Sequence, residues 1–209
     1  MSIFQEAFNK NDEEDDVMVR SVLSIVILAV NPLSPSAVAK LLGLDCDVVM
    51  PLLQSFQSLL VLDDDIDHPV HPFHKSFPDF IKDSTRCTDP RFYISPDHHN
   101  ELVLCCLKLM DGALEKNMCS IPDYALNCEV EDLSKRIKDS GIQGALEYAC
   151  RSWHKHLIMV EHQTVDTASI LCHFLEVKFL FWLEVLSVLG AVGDAAHALN
   201  TTTKWLNEV

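Results

Sequence analysis

Glycine is scarce in this chain, and the six glycines never assemble a phosphate-binding loop. Gly43, Gly112, Gly141, Gly144, Gly190 and Gly193 form neither GxGxxG nor GxxxxGK followed by Ser or Thr, the spacings that let backbone amides close on a phosphate chain. By itself the chain is therefore expected to hydrolyse no nucleotide and to hold no cofactor. A GxSxG nucleophile elbow is missing too. With eight cysteines and ten histidines, a Cys and a His somewhere in the chain say nothing about catalysis. No enzyme activity is expected. Cations are also few: 16 Lys and Arg stand against 31 Asp and Glu, for a formal net charge of −15. Between Lys40 and Lys75 there is no Lys or Arg at all, while Asp45, Asp47, Asp63, Asp64, Asp65 and Asp67 crowd the same stretch. Nucleic acid and anionic membranes are repelled by such a surface and are excluded as expected partners.

Residues 1–10 lack the apolar core of a secretory signal. The cysteines are irregularly spaced, with Cys105 and Cys106 adjacent and no CxxC pair, so reduced thiols and a cytoplasmic location are expected. Neither long apolar stretch reads as a membrane span. Residues 17–30 are too few and contain Arg20, and residues 170–192 are interrupted by Glu176, Lys178 and Glu184.

What the sequence does contain is enough apolar residue, 48% against 22% charged, for one or two folded domains. Residues 1–12 read as a lead-in. The acidic run 12–16 suits a first helical turn, where carboxylates meet the positive end of the helix dipole, and apolar spacing continues that helix to Val30. Asn31-Pro32 stops it. Ser34-Pro35 is an N-cap with proline at the first helical position, opening a helix over 35–42 that Gly43 ends. Asp45 caps a third helix running to about Gln57. Residues 58–62 and 66–71, separated by three aspartates, predict a hairpin. A short helix follows, led by His74 and carrying Phe77, Phe80 and Ile81 on one side; Phe73, Phe77 and Phe80 read as core. Helix, helix, helix, hairpin is the winged-helix order. The fold expected is mainly α: a winged-helix domain over 13–83, with three helices and a short β-hairpin wing, followed by an α-helical domain over 84–209.

In that second part an extended piece at 91–94 leads to Ser95-Pro96 and a helix through about Asn117. A loop at 120–127 is followed by helices near 129–138, 144–159, 167–189 and 194–209. The stretch 171–189 is apolar nearly all round, which predicts a helix buried on several sides. It reads as a central core helix, or as one with a face docked on a neighbouring domain.

The histidines need separate weighing. His68, His71 and His74 recur every three residues, interleaved with Pro69 and Pro72, a spacing that could line one edge of a polyproline-like stretch. A closed zinc site draws four ligands from separated elements, so His68 and His71 read as polar wing-end residues and no metal site is expected. His154, His156, Cys150, Cys172 and His173 lack paired spacing and read as helix positions in the core or on its rim.

Four segments carry a family resemblance: NPLSPSAVAKLLGLD at 31–45, SLLVLDDDIDHPVHPFHKSFPDFIKDSTRC at 58–87, EYACRSWHKHL at 147–157 and HFLEVKFLFWLEVLSVLGAV at 173–192. Together they resemble the block that follows the nucleotide-binding domain in mushroom-type fungal NACHT proteins, a branch of the STAND signal-transduction ATPases. The resemblance runs from about Phe4 to Val209 and implies a fragment or truncated product of a longer protein. It further implies a regulatory arm that relays nucleotide state to opening or oligomerisation, in an immune-like signalling role. The implied partners are the NACHT nucleotide-binding domain and a repeat domain of that longer protein, with homo-oligomers possible. ADP or ATP is implied only in a full-length relative. There, His74 in FHKSFPDF matches the histidine that contacts the β-phosphate of bound ADP. Lys75 stands where other relatives often carry Asp. The rival reading, drawn from the residues alone, is a free-standing adaptor that binds protein partners through exposed apolar helix faces.

Overall fold

The computed structural model describes residues 13–122 and 124–208, with side chains from Asp16 onward; the lead-in at 1–12 lies outside the described residues. The chain is mainly α-helical, with ten α-helices and one two-stranded sheet among those residues. It divides into two compact units, the first ending at His98 and the second starting at His99. Residues 84–98, given by the sequence pattern to the helical part, thus belong to the first unit. None of the described helices is long and apolar enough to cross a membrane.

In the first unit, α1 (Glu13–Leu28) buries Val19, Val22, Leu23, Ile25 and Val26. These recur at helical spacing and pack on α2 (Pro35–Leu42) and α3 (Cys46–Gln54). The start of α2 is chemically fixed: the Ser34 hydroxyl accepts from the Ala37 amide at 3.2 Å, with Pro35 at the first position. Gly43 closes the helix at φ +67, a left-handed conformation that costs glycine little and other residues more.

The hairpin is much shorter than its sequence suggests. Only β1 (Leu60–Val61) and β2 (His71–Pro72) pair, antiparallel, with Leu60 opposite Pro72 and Val61 opposite His71. Residues 62–70 instead form a loop stitched by its own aspartates. Asp63 Oδ1 accepts from the Asp65 amide and Asp65 Oδ1 from the Asp67 amide, each at 3.0 Å. The loop is tied to the entry of α2: Ser36 Oγ donates to Asp67 at 2.6 Å, and the Val70 amide to the Leu33 carbonyl at 2.8 Å. Side-chain acceptors placed every second residue out-compete a longer ladder.

Next comes α4 (Ser76–Ile81), which buries Phe77 and Ile81. Phe73 does not join that core as expected; it stands 75% exposed, and Phe80 is half-buried. The chain then returns across the same unit, burying Cys87, Phe92 and Ile94, with the Ile94 amide bonded to the Ile81 carbonyl at 3.0 Å.

The second unit is built around α7. Its first helix, α5 (His98–Ala113), buries Leu102, Val103, Cys106, Leu107 and Met110. A 3-10 turn (Asn127–Glu129) and α6 (Leu133–Asp139) contribute no buried residue. Nearly every residue of α7 (Ala145–Leu157) is buried, and α9 (Phe179–Val188) and α10 (Val192–Leu206) pack against it. The centre is aromatic: Trp153, Phe174 and Trp182 meet edge to face at 5.9–6.2 Å between ring centroids. The Trp182 indole N–H donates to the Cys150 carbonyl at 2.9 Å.

The single helix expected over 167–189 is two. α8 (Val165–Val177) ends and α9 begins at Lys178, where φ −110 departs from helical values. Lys178 Nζ donates to the Leu114 carbonyl at 3.0 Å, which ties the break to the chain just after α5. Each half then buries a narrow face: Thr167, Leu171 and Phe174 from α8, Trp182, Val185 and Leu186 from α9. Leu180 remains 73% exposed, so the stretch is not buried on several sides, and α7 is the central helix instead.

All eight cysteines are free thiols. Cys106 and Cys150 are wholly buried, whereas Cys128 and Cys172 are exposed. Burial, reinforced by Glu147, pushes the Cys150 thiol up to about 12.

Candidate functional site

His74 lies two residues before α4 with an exposed side chain. Its Nδ1 accepts from the Ser76 amide at 3.1 Å and lies 2.8 Å from the Ser76 hydroxyl. The first amides of a helix have no partner within it, and here the imidazole supplies one. Accepting an N–H requires Nδ1 to be the unprotonated nitrogen, which places the neutral ring's proton on Nε2. Nε2 has no hydrogen-bond partner among the described residues and is available as a donor. Lys75 beside it is exposed as well. Chemically the corner offers one N–H donor and one cation, a pair suited to an oxyanion or phosphoryl oxygen.

His68 and His71 are exposed and are not gathered with His74 into a ligand set; among the described residues no group of three or more His, Cys, Asp or Glu could hold a metal ion.

The second unit holds an arrangement that the sequence pattern does not single out. His156 is 1% exposed and links two helices: its Nε2 lies 2.6 Å from the Tyr148 hydroxyl, its Nδ1 2.9 Å from Nδ1 of His99. One ring must donate and the other accept across the Nδ1 pair, so the three side chains share one direction of proton donation. Burial, followed by the neighbouring His99, His154 and Lys155, holds the His156 imidazole down at about 4. His154 is held down to about 4 as well, by burial first and then Lys155 and His197, with Asp194 opposing. Its Nδ1 is buried with no hydrogen-bond partner among the described residues. Both rings are therefore neutral near pH 7, and the chain Tyr148–His156–His99 cross-braces α5 and α7.

Tyr148 and His156 are eight residues apart, about two helical turns, which is a readable signal of one face. His99 lies 57 residues away from His156 and carries no such signal. Of the remaining residues noted in the sequence, Cys150 joins the aromatic core through its carbonyl, while Cys172 and His173 face solvent on α8. His173 sits over an apolar groove of about 540 Å3 lined by Leu104, Leu107, Ile170 and Phe174, with Nε2 4.0 Å from the Asp111 carboxylate. Both are exposed, and no nucleophile is hydrogen-bonded to either among the described residues.

Set beside protein-family models, curated proteins and solved structures, the chain gives no match in any of the three comparisons.

Proposed function

We propose that this chain is the non-catalytic regulatory arm of a NACHT-type STAND signalling ATPase, with a winged-helix domain in its first unit. The four segments that resemble mushroom-type NACHT proteins support this reading. So does the order α1, α2, α3, hairpin, α4. The observation that carries it is the setting of His74: exposed, anchored through Nδ1 on Ser76, and offering Nε2–H outward. A ring held in this way can donate to the β-phosphate of an ADP bound by a neighbouring nucleotide-binding domain. A diphosphate that binds one domain arrangement better than another shifts the population toward it, and the arm then transmits bound nucleotide as closure.

The test begins with the reading frame upstream. It should encode GxxxxGK followed by Ser or Thr within a few hundred residues. In the protein made from that longer frame, ADP should co-purify, and His74→Ala should weaken its retention by about tenfold, the loss of one charge-assisted hydrogen bond. An upstream frame without such a loop would leave the adaptor reading in its place. Unchanged ADP affinity in His74→Ala would remove this histidine from the mechanism.

A further inference from the structure

Beside the hairpin lies a groove of about 530 Å3, lined by Met50 and Gln54 of α3, Val61 of β1, Asp63 and Asp64 of the following loop, and Phe73. Phe73 is held in an unusual way. Its amide donates to the Leu59 carbonyl at 2.8 Å, so the backbone is pinned while the ring stays 75% exposed. Val61 leaves 37% of its surface in water beside it. A fixed, exposed aromatic lining a groove of mixed polar and apolar side chains has the form of an anchor point for a partner.

The two charged side chains that line this groove, Asp63 and Asp64, are both acidic. Asp63 has one oxygen engaged by the Asp65 amide, whereas Asp64 has no hydrogen-bond or ion-pair partner among the described residues. No Lys or Arg is among the residues that line the groove. The carboxylates thus present negative charge to anything entering the groove, which favours a cation there.

We infer that this groove is a docking site for a segment of a protein partner carrying Lys or Arg next to one aromatic or aliphatic side chain. The apolar side chain packs between Phe73 and Val61, and the cation meets Asp63 and Asp64. The inference stands on the groove itself and does not depend on the switch reading.

Two fluorescently labelled peptides of equal length test it, one of Lys and Leu and one with every Lys replaced by Glu. Each is titrated with the 209-residue protein and followed by anisotropy. The Lys/Leu peptide should bind, and more weakly as salt screens the carboxylates. Phe73→Ala, and separately Asp63→Asn combined with Asp64→Asn, should each weaken it by about tenfold, as loss of an anchor does. These side chains are exposed, so the variants disturb no core packing. The control, Asp166→Asn with Glu176→Gln, removes the same charge from exposed positions of α8 and should leave binding unchanged. The proposal is overturned if the Lys/Leu peptide does not bind or the Glu/Leu peptide binds as well. It is equally overturned if Phe73→Ala has no effect, or if the control loses as much as the groove variant, since the attraction then belongs to the net charge.

Discussion

In the first unit a histidine, His74, faces water and gives its unprotonated nitrogen to the backbone of a six-residue helix. In the second, His156 is walled in and, among the described residues, its ring shares hydrogen bonds only with the side chains of Tyr148 and His99. The same imidazole is thus used once as a terminal acceptor with a free donor face and once as a brace with no free face. The first arrangement leaves chemistry available to a visitor at small cost to the fold. The second ties stability to protonation and offers nothing to a ligand.

The largest effect that separates the two units should come from the aromatic centre beneath the brace. Trp153→Ala should destabilise the second unit by about 3–5 kcal/mol, read as a lower urea midpoint, because a wholly buried indole leaves a cavity the helices cannot close. A loss under about 1 kcal/mol would mean that α7 is not the centre of that unit.

The next is a pH effect confined to the second unit. His154 and His156 are held at about 4 against an ordinary 6.5, so the folded state binds fewer protons than the unfolded one. Their contribution is fully present above about pH 6.5 and is lost as pH falls toward 4. The loss should be on the order of 2–4 kcal/mol for each ring, followed by denaturant midpoints between pH 7 and pH 4. His156→Gln should flatten that profile. An unchanged slope in this variant would show that His156 is not the proton acceptor.

The legibility of these regions in the sequence differs for a physical reason. Ser34, Pro35 and Gly43 act on their own neighbours, so the bounds of α2 can be read directly. The hairpin could be placed but not measured, because Asp63 and Asp65 fold the loop by local hydrogen bonds that leave no alternation of apolar residues. The break at Lys178 carries neither glycine nor proline; its partner, the Leu114 carbonyl, is 64 residues away. Periodicity reports apolar side chains, not the carbonyl a lysine will find. The brace through His99 was hidden for the same reason. His74, by contrast, could be singled out because it leads a short helix and stands in FHKSFPDF, the segment that carries the family resemblance.

The smallest effect expected belongs to His74. His74→Ala removes the acceptor for the Ser76 amide and should cost about 0.5–1 kcal/mol, seen as a slight shift in thermal midpoint. A loss above about 2 kcal/mol would show that the ring is packed rather than available, and would narrow the contrast drawn here.

The seclusion of two sulfurs has a practical outcome. Only a thiolate attacks an alkylating reagent or a disulfide, and both Cys106 and Cys150 sit where negative charge is strongly disfavoured. Cys128 and Cys172, in open water, meet such a reagent at once. The inner pair can react only when the surrounding helices part. The second unit therefore carries its own clock: the lag between outer and inner labelling measures how often that bundle opens.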